Sequence, residues 1–142
     1  MIAIADDEVL YRLDFAEHRE GAPLPQGRTG PILSIERELK EYFEGKLREF
    51  KTPIAWEGTP FQRSVWEALR KIPFGQTISY AQLAATIGKP TAFRAAAQAN
   101  GANPLTILVP CHRVINANGE LGGYSAGLKR KEWLLRHEKK FK

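Results

Sequence analysis

Apolar residues in the first third of the chain occur in short runs and then at helical spacing. Residues 2–5 and 9–15 predict two short strands joined at Asp6-Asp7-Glu8 as a hairpin. Residues 22–31 contain glycine and proline without apolar periodicity, which predicts a loop. Ser34 is a suitable N-cap, and the apolar residues that follow at helical spacing predict an amphipathic helix over residues 34–49.

A second apolar pattern begins at residue 59 and predicts a pair of short helices after a longer one. Thr59 followed by proline predicts the start of a helix that stops near Ile72. Ser79 and Gln82 have the spacing of a capping box, which starts the next helix. Gly88 is a natural residue for its end, and Thr91 predicts the cap of another helix reaching about residue 100. Two short helices with a tight turn indicate a helix-turn-helix.

The rest of the pattern predicts a strand, a hairpin and a last helix. Residues 105–109 are apolar and β-like, and Asn118-Gly119 is a strong hairpin signal within residues 114–124. Such a hairpin resembles the wing that often follows a helix-turn-helix. The last helix is predicted over residues 128–138. Lys129-Arg130-Lys131 in its first turn oppose the helix macrodipole, which is reasonable if these side chains face phosphate.

Charge divides the chain more sharply than its total of +5 indicates. Residues 1–58 carry 8 Lys and Arg against 12 Asp and Glu, whereas residues 59–142 carry 13 against 4. The pattern of elements predicts the α/β fold class: a short α/β N-terminal domain at 1–58, then a mainly helical winged helix-turn-helix domain at 59–142. The basic second part is typical of a domain that binds a polyanion, with a solvated basic face as the alternative.

Composition excludes several classes of protein. The 142 residues suit one domain, or one domain with a small appendage. The sequence has no apolar run of about 18 residues, so no membrane span is expected. Asp6-Asp7-Glu8 stand where a signal peptide would be apolar. A single cysteine excludes an internal disulfide and favours a reducing compartment, cytoplasmic or, in a eukaryote, nuclear. It also excludes a cysteine-rich zinc site.

The single cysteine, Cys111, stands at the end of an apolar run, after Pro110 and before His112-Arg113. A thiol reacts as thiolate, and neighbouring positive charge lowers its pKa. This placement favours a nucleophile. The alternative is a small buried apolar residue, which is what most free cysteines are.

The helix predicted after Thr91 has an unusual face. Three consecutive alanines, Ala95 to Ala97, offer no hydrogen bonds to base edges but permit close approach to a sugar-phosphate surface. Arg94 is the one long cation on that face. The pattern favours contact with the minor groove over reading of the major groove.

Several motifs in order resemble one family, the O6-alkylguanine-DNA alkyltransferases. The resemblance covers about Phe61 to Glu138, over half of the chain. The motifs that carry it are Phe74-Gly75, Ile78-Ser79-Tyr80, Leu83-Ala84, Asn103-Pro104, the run from Ile107 to Ile115, Gly122-Gly123-Tyr124, Leu134-Leu135 and Glu138.

The resemblance implies a DNA repair protein that moves an alkyl group from O6-alkylguanine to its own cysteine, with O4-alkylthymine as a second candidate substrate. The thioether product is not hydrolysed, so each molecule would act once. The family binds double-stranded DNA in the minor groove through a winged helix-turn-helix and flips the damaged nucleotide. No cofactor, no membrane and a monomer are expected.

The resemblance also implies roles for individual residues. Cys111 corresponds to the alkyl acceptor, His112 and Glu138 to a relay that deprotonates it through a water, and Asn103 to the residue that orders the surrounding turn. Tyr80 and Arg94 correspond to residues that rotate the base out and fill its place. The DNA contacts expected are Ser79, Tyr80, Arg94, Ala95 and Ala96, and the base pocket is expected from Val114, Tyr124 and Ser125.

The N-terminal section is shorter than is usual in the family. Some members hold zinc there, but this section has only His18 and no cysteine, so no metal is expected.

Two other classes remain open. One is a DNA-binding module without chemistry, either an alkyltransferase-like protein, in which tryptophan commonly replaces the cysteine, or a transcription regulator. The other is a Cys-His hydrolase. Each of these residues also has an alternative role outside the family. Tyr80 can be a packing residue, Arg94 a phosphate contact, His112 a structural histidine, and Glu138 a surface partner of Arg113.

Overall fold

The computed structural model describes residues 1–15, 27 and 29–142, and this part of the chain is mixed α/β, as predicted. Its strands are β1 (Ile2–Ala5), β2 (Leu10–Asp14), β3 (Ile78–Ser79) and β4 (Val114–Ile115). Its helices are α1 (Gly30–Phe43), α2 (Pro60–Arg70), α3 (Tyr80–Thr86), α4 (Phe93–Gly101) and α5 (Leu128–Phe141), with a 3-10 turn at Cys111–Arg113. No described helix is long and apolar enough to cross a membrane.

The described chain divides into two compact units. The first consists of residues 1–57 and 104–106, and the second of residues 58–103 and 107–142. The predicted domains at residues 1–58 and 59–142 stay a prediction.

The first unit contains the predicted hairpin. β1 and β2 pair antiparallel, with Ile2 opposite Asp14. Asp6 forms the turn, because its Oδ1 accepts the backbone N–H of Glu8 at 2.7 Å and of Val9 at 2.8 Å. These hydrogen bonds hold the pKa of Asp6 below its usual value.

The helix predicted over residues 34–49 is displaced. α1 begins at Gly30 after the N-cap Thr29 and ends at Phe43. Ser34 is therefore inside the helix, where its hydroxyl lies 2.7 Å from Thr52 Oγ1. Proline in the first turn suits a helix start, which the loop prediction for residues 22–31 overlooked. Residues 22–26 and 28 of that loop, and His18, lie outside the described residues.

The second unit begins with the capped helix expected from the sequence. Thr59 accepts the N–H of Gln62, and the Gln62 side chain accepts the N–H of Thr59. α2 buries Val65, Trp66 and Leu69, and the Trp66 indole donates to the carbonyl of Ala99 in α4 at 2.8 Å. This bond and the apolar face fix α4 against α2.

α3 and α4 are the two short helices of the predicted pair. Ser79 and Gln82 form the predicted capping box, and Gly88 has a φ of 75° in the turn. Thr91 is not the cap of α4, because that helix begins at Phe93 after Ala92, which makes no side-chain capping bond.

Two predicted β segments are replaced by turns. Residues 105–109 do not form a strand, because Ile107 has a φ of 72°, which breaks an extended run. Asn118-Gly119 forms a tight turn, closed by the Asn116 N–H donating to the Glu120 carbonyl at 2.9 Å. Among the described residues no strand follows β4, which instead pairs parallel with β3.

We expect Thr59→Ala to lower the free energy of unfolding by about 1 kcal/mol, since it removes one half of the α2 capping box. Thr91→Ala is the matched control, because the structure gives Thr91 no capping bond to α4. Urea denaturation measures both variants. An equal loss for the two would contradict the observed start of α4.

Candidate functional site

Cys111 lies at the start of the 3-10 turn and is 4% exposed. Its N–H donates to the carbonyl of Val109 at 2.8 Å, and the N–H of Arg113 donates to Pro110 at 3.0 Å. These bonds fold the chain tightly around the cysteine, which contributes to the lining of a cavity of about 650 Å³. The thiol is thus placed at a pocket large enough for a small organic group.

A buried ionic cluster follows directly from the next two residues. Glu138 of α5 accepts from His112 Nε2 at 2.6 Å, and from Arg113 Nε at 2.8 Å and Nη2 at 3.0 Å. The N–H of Gly75 donates to the same carboxylate at 3.2 Å. Arg113 also donates to the carbonyl of Ile72 at 2.7 Å. Glu138 therefore lies at the centre of a buried network, unlike the surface ion pair considered from the sequence.

The charge state of this cluster follows from its contacts. Burial alone would raise the pKa of Glu138, but the hydrogen bonds and charges of His112 and Arg113 outweigh it and hold that pKa far below its usual range. For His112, burial lowers the pKa more than the bond to Glu138 raises it. The carboxylate is ionised and the imidazole is neutral at neutral pH.

The geometry also assigns the tautomer of His112. An ionised carboxylate only accepts hydrogen bonds, so His112 Nε2 carries the proton and Nδ1 is the free base. Nδ1 is buried and has no hydrogen-bond partner within the described residues. A nitrogen with a free lone pair is suited to accept a proton, directly or through one water.

The pKa of Cys111 is raised, which corrects the lowered value expected from the sequence. Burial is the largest cause, and it outweighs the hydrogen bond to Asn103 and the charge of Lys131, which both lower the pKa. The adjacent cation Arg113 is committed to Glu138. The resting side chain is a thiol, so its reaction depends on a base.

Two asparagines hold the chain on either side of the thiol. Asn103 Nδ2 donates to the carbonyl of Val109 at 2.7 Å, which closes the turn containing Ile107. Asn100 Nδ2 lies 3.4 Å from the carbonyl oxygen of Cys111 and donates to it. Asn103 was expected at this place. Asn100 was not, and its position near the end of a predicted alanine-rich helix gave no signal.

Four of the residues predicted for DNA or base contact line the cavity with Cys111. Arg94 is exposed on α4, and Tyr80 at the start of α3 is half-buried. The Tyr124 hydroxyl is buried without a partner among the described residues, and burial raises its pKa strongly. The cavity is lined by Tyr80, Ala81, Phe93, Arg94, Ala97, Asn100, Gly101, Cys111, Asn116, Ala117, Gly123, Tyr124 and Ser125.

The other four lie elsewhere. Ala96 and Val114 are fully buried, so neither side chain is available to DNA or to a base in this structure. Ala95 is exposed on α4 but is not part of the cavity lining. Ser79 caps α3 through Gln82 and likewise does not line the cavity.

Lys131 corrects the expectation that the first turn of α5 faces phosphate. Lys129 is exposed, whereas Lys131 is fully buried and donates to three backbone carbonyls. A run of three basic residues gave no sign of which one is buried. Among the described residues no group of three His, Cys, Asp or Glu side chains is placed to hold a metal ion.

Residues 60–140, more than half of the chain, match the family model of the DNA binding domain of 6-O-methylguanine DNA methyltransferase. The chain belongs to this family. The resemblance inferred from the sequence is confirmed.

Individual members of the methyltransferase family are close to this chain. A methylated-DNA--protein-cysteine methyltransferase of Salmonella typhimurium is 60% identical over 105 residues, which are 73% of this chain and 61% of that protein. This chain thus spans less than two thirds of that relative. A protein of the same name from Methanosarcina acetivorans is 54% identical over 141 residues, 97% of this chain and 90% of that protein.

A solved structure of a family member has a closely similar fold. The crystal structure of Mycobacterium tuberculosis OGT in complex with DNA is 42% identical and superposes with a TM-score of 0.90. The match covers 98% of this chain and 86% of that chain.

We expect Glu138→Gln to lower the free energy of unfolding at pH 7 by about 3 kcal/mol, because it leaves Arg113 buried without its counter-charge. Since the folded pKa of Glu138 is depressed, its stabilisation is present above the unfolded value of 4.5 and is lost as pH falls below it. The difference from wild type should therefore shrink between pH 5 and pH 3. Urea denaturation across this range is the measurement.

Glu132→Gln is the control, because the Glu132 side chain is about half exposed and pairs with the exposed Arg136 on α5. It should change stability by less than about 1 kcal/mol at either pH. A Glu138→Gln variant as stable as this control would contradict the ionic cluster.

Proposed function

We propose that this protein repairs DNA by transferring an alkyl group from O6-alkylguanine to Cys111, with O4-alkylthymine as a second candidate substrate. The observation that carries the proposal is a thiol in a cavity of about 650 Å³, followed in sequence by a neutral histidine that is fixed by an ionised glutamate. That arrangement is the nucleophile, base and orienting group of covalent catalysis. Membership of the methyltransferase family supports the same reaction.

The chemistry balances with the residues present. The Cys111 proton passes to His112 Nδ1, and Glu138 stabilises the imidazolium that forms. The thiolate attacks the alkyl carbon, so an S–C bond forms while the bond from that carbon to O6 breaks. The guanine anion that leaves takes up one proton from solvent, and the His112 imidazolium releases one to solvent. No metal or redox cofactor is needed for this displacement.

The raised pKa of Cys111 has a consequence for selectivity in this scheme. A thiol that stays protonated reacts slowly with electrophiles in solution. The base becomes useful when an alkylated guanine occupies the cavity and its alkyl carbon lies next to sulfur. The thioether that forms is not cleaved by water, so each protein molecule acts once.

For binding, we propose that α3 and α4 act as the helix-turn-helix and that the turn at Asn118-Gly119 acts as the wing. The excess of Lys and Arg over residues 59–142 supports contact with phosphates. Exposed Ala95 supports close approach in the minor groove. The protein is proposed to bind double-stranded DNA as a monomer, in the cytoplasm or in a nucleus.

A guanine within a duplex does not reach a thiol that is 4% exposed, so the target nucleotide must leave the base stack. Arg94 is exposed and borders the same cavity, a placement that suits a side chain filling the vacated space. Tyr80 lies on the same lining and suits contact with the rotated nucleotide.

Intact-mass analysis tests the reaction. After incubation with duplex DNA containing O6-methylguanine, wild-type protein should gain one methyl group, located on Cys111 by peptide mapping. Cys111→Ser should gain none while it still binds DNA, because phosphate contacts supply most of the affinity. Repaired guanine in excess of protein, or a methyl on another residue, would exclude the single-use thiol. Product in excess of protein from an acyl substrate would favour a hydrolase.

Arg94→Ala should slow repair of duplex DNA by about 10-fold or more, since unstacking a base costs a few kcal/mol that the inserted side chain offsets. The same variant should react normally with free O6-benzylguanine, which needs no flipping. Arg94→Lys should restore the rate only in part, because an ammonium does not stack as a guanidinium does. Single-turnover assays on both substrates give the comparison.

Arg70→Ala removes an exposed arginine on α2 and serves as the control for lost charge. If Arg94→Ala lowered the two reactions equally, Arg94 would act on the fold or the thiol, and its role in flipping would be wrong.

A further inference from the structure

Phe93 is a large apolar side chain that lies on the surface at the start of α4. It is 49% exposed, and it lines the same cavity as Cys111. Single exposed apolar residues are common on protein surfaces. Five others are exposed in the described part of the chain, but none of them lines this cavity: Met1, Leu33, Phe43, Leu128 and Trp133. The position of Phe93, and not its exposure alone, therefore needs an explanation.

The residues of α4 that line the cavity form one stripe along the helix. Phe93, Ala97, Asn100 and Gly101 follow the spacing i, i+4, i+7 and i+8, which places them on one face. Burial decreases along this stripe, from the buried Asn100 through the partly buried Ala97 to the exposed Phe93. Phe93 therefore stands at the open end of the cavity.

The closed end of the stripe lies at the nucleophile. Asn100 Nδ2 donates to the carbonyl of Cys111 at 3.4 Å. From the rise of an α-helix, Phe93 is about 10 Å from Asn100 along the helix axis. The α4 wall of the cavity thus extends from the cysteine at one end to a phenyl ring at the other.

A nucleotide that delivers its alkyl group to Cys111 has a defined direction along this wall. O6 is attached to the six-membered ring of guanine, whereas the glycosidic nitrogen N9 belongs to the five-membered ring, so the alkyl group and the sugar leave the base on opposite sides. With the alkyl carbon at the sulfur, the deoxyribose lies towards the open end. The C–H groups of a deoxyribose form an apolar face, which an exposed phenyl ring covers favourably.

The start of α4 also suits the phosphates on either side of that sugar. Its first turn contains no acidic residue, and the N-cap Ala92 supplies no side-chain hydrogen bond to the first N–H groups. Arg94, the next residue, adds a cation to the same cavity lining. An apolar ring next to a site without negative charge matches the two surfaces of a nucleotide backbone.

We propose that Phe93 binds the nucleotide that leaves the duplex: its ring packs against the deoxyribose at the mouth of the cavity and holds the alkylated guanine beside Cys111. The inference rests on the proposed function and adds to it a contact with the sugar, which distinguishes a nucleotide from a free base. Arg94 fills the space left in the duplex, whereas Phe93 retains the nucleotide that has vacated it.

Single-turnover alkyl transfer from three substrates tests the inference. They are free O6-benzylguanine, which has no sugar, O6-benzyl-2′-deoxyguanosine, which has the sugar without a duplex, and duplex DNA containing O6-benzylguanine. Rates are measured against substrate concentration for each protein. For Phe93→Ala, the second-order rate constant should fall about 5-fold more with the nucleoside and the duplex than with the free base. This is the scale expected when the contact of half a phenylalanine side chain is lost.

Two further variants show whether the ring itself is responsible. Phe93→Tyr keeps the aromatic ring and should retain the wild-type ratio of nucleoside to free-base rates. Leu33→Ala is the matched control, because Leu33 is 47% exposed on α1 and does not line the cavity. It should leave the same ratio unchanged.

The three substrates also separate the contrary outcomes. Equal losses of Phe93→Ala on all of them, or no loss on any, would overturn the inference, because Phe93 would then not contact the sugar. A loss confined to the duplex would overturn it as well, since the ring would then act within the base stack. Failure of the proposed function is a separate result, in which wild-type protein takes no alkyl group from any of the three substrates.

Discussion

The second unit is organised around one buried carboxylate. Glu138 accepts hydrogen bonds from His112, Arg113 and Gly75, so that α5, the 3-10 turn and the loop before β3 meet at two oxygen atoms. Arg113 extends the network to the carbonyl of Ile72, just beyond the end of α2. A buried charge is tolerated only when it is paired and fully hydrogen-bonded, and these contacts satisfy that condition. The same contacts therefore satisfy the buried charge of Glu138 and fix the imidazole of His112.

Much of the candidate site could be predicted from the sequence, because its residues are adjacent in sequence or of distinctive types. Cys111 and His112 are neighbours, and the capping boxes at Thr59 and Ser79 have fixed spacing. Glu138 was predicted only through the family resemblance, because it lies far from Cys111 in sequence and no local pattern shows that the two are close in space. The family and the mixed α/β fold were thus predictable from the sequence alone.

Burial and backbone conformation could not be predicted from the sequence. The run of three basic residues at the start of α5 contains an exposed Lys129 and a buried Lys131. Cationic neighbours suggested an acidic thiol, yet burial dominates at Cys111 and raises its pKa. β-propensity favoured a strand at residues 105–109, but tertiary contacts override such preferences. Each of these errors concerns a property set by the surrounding fold and not by local composition.

Ile107 makes the chemistry of this protein inseparable from its fold. A β-branched residue at a φ of 72° is held against its own preference, at a cost of about 1–3 kcal/mol. It stays there because its side chain is 1% exposed in the core and the Asn103 bond closes the turn. The backbone four residues before Cys111 is therefore strained, and the packed interior holds it in that conformation. Loosening of that interior would relax the turn that leads to Cys111, so the placement of the thiol depends on the packing of the core.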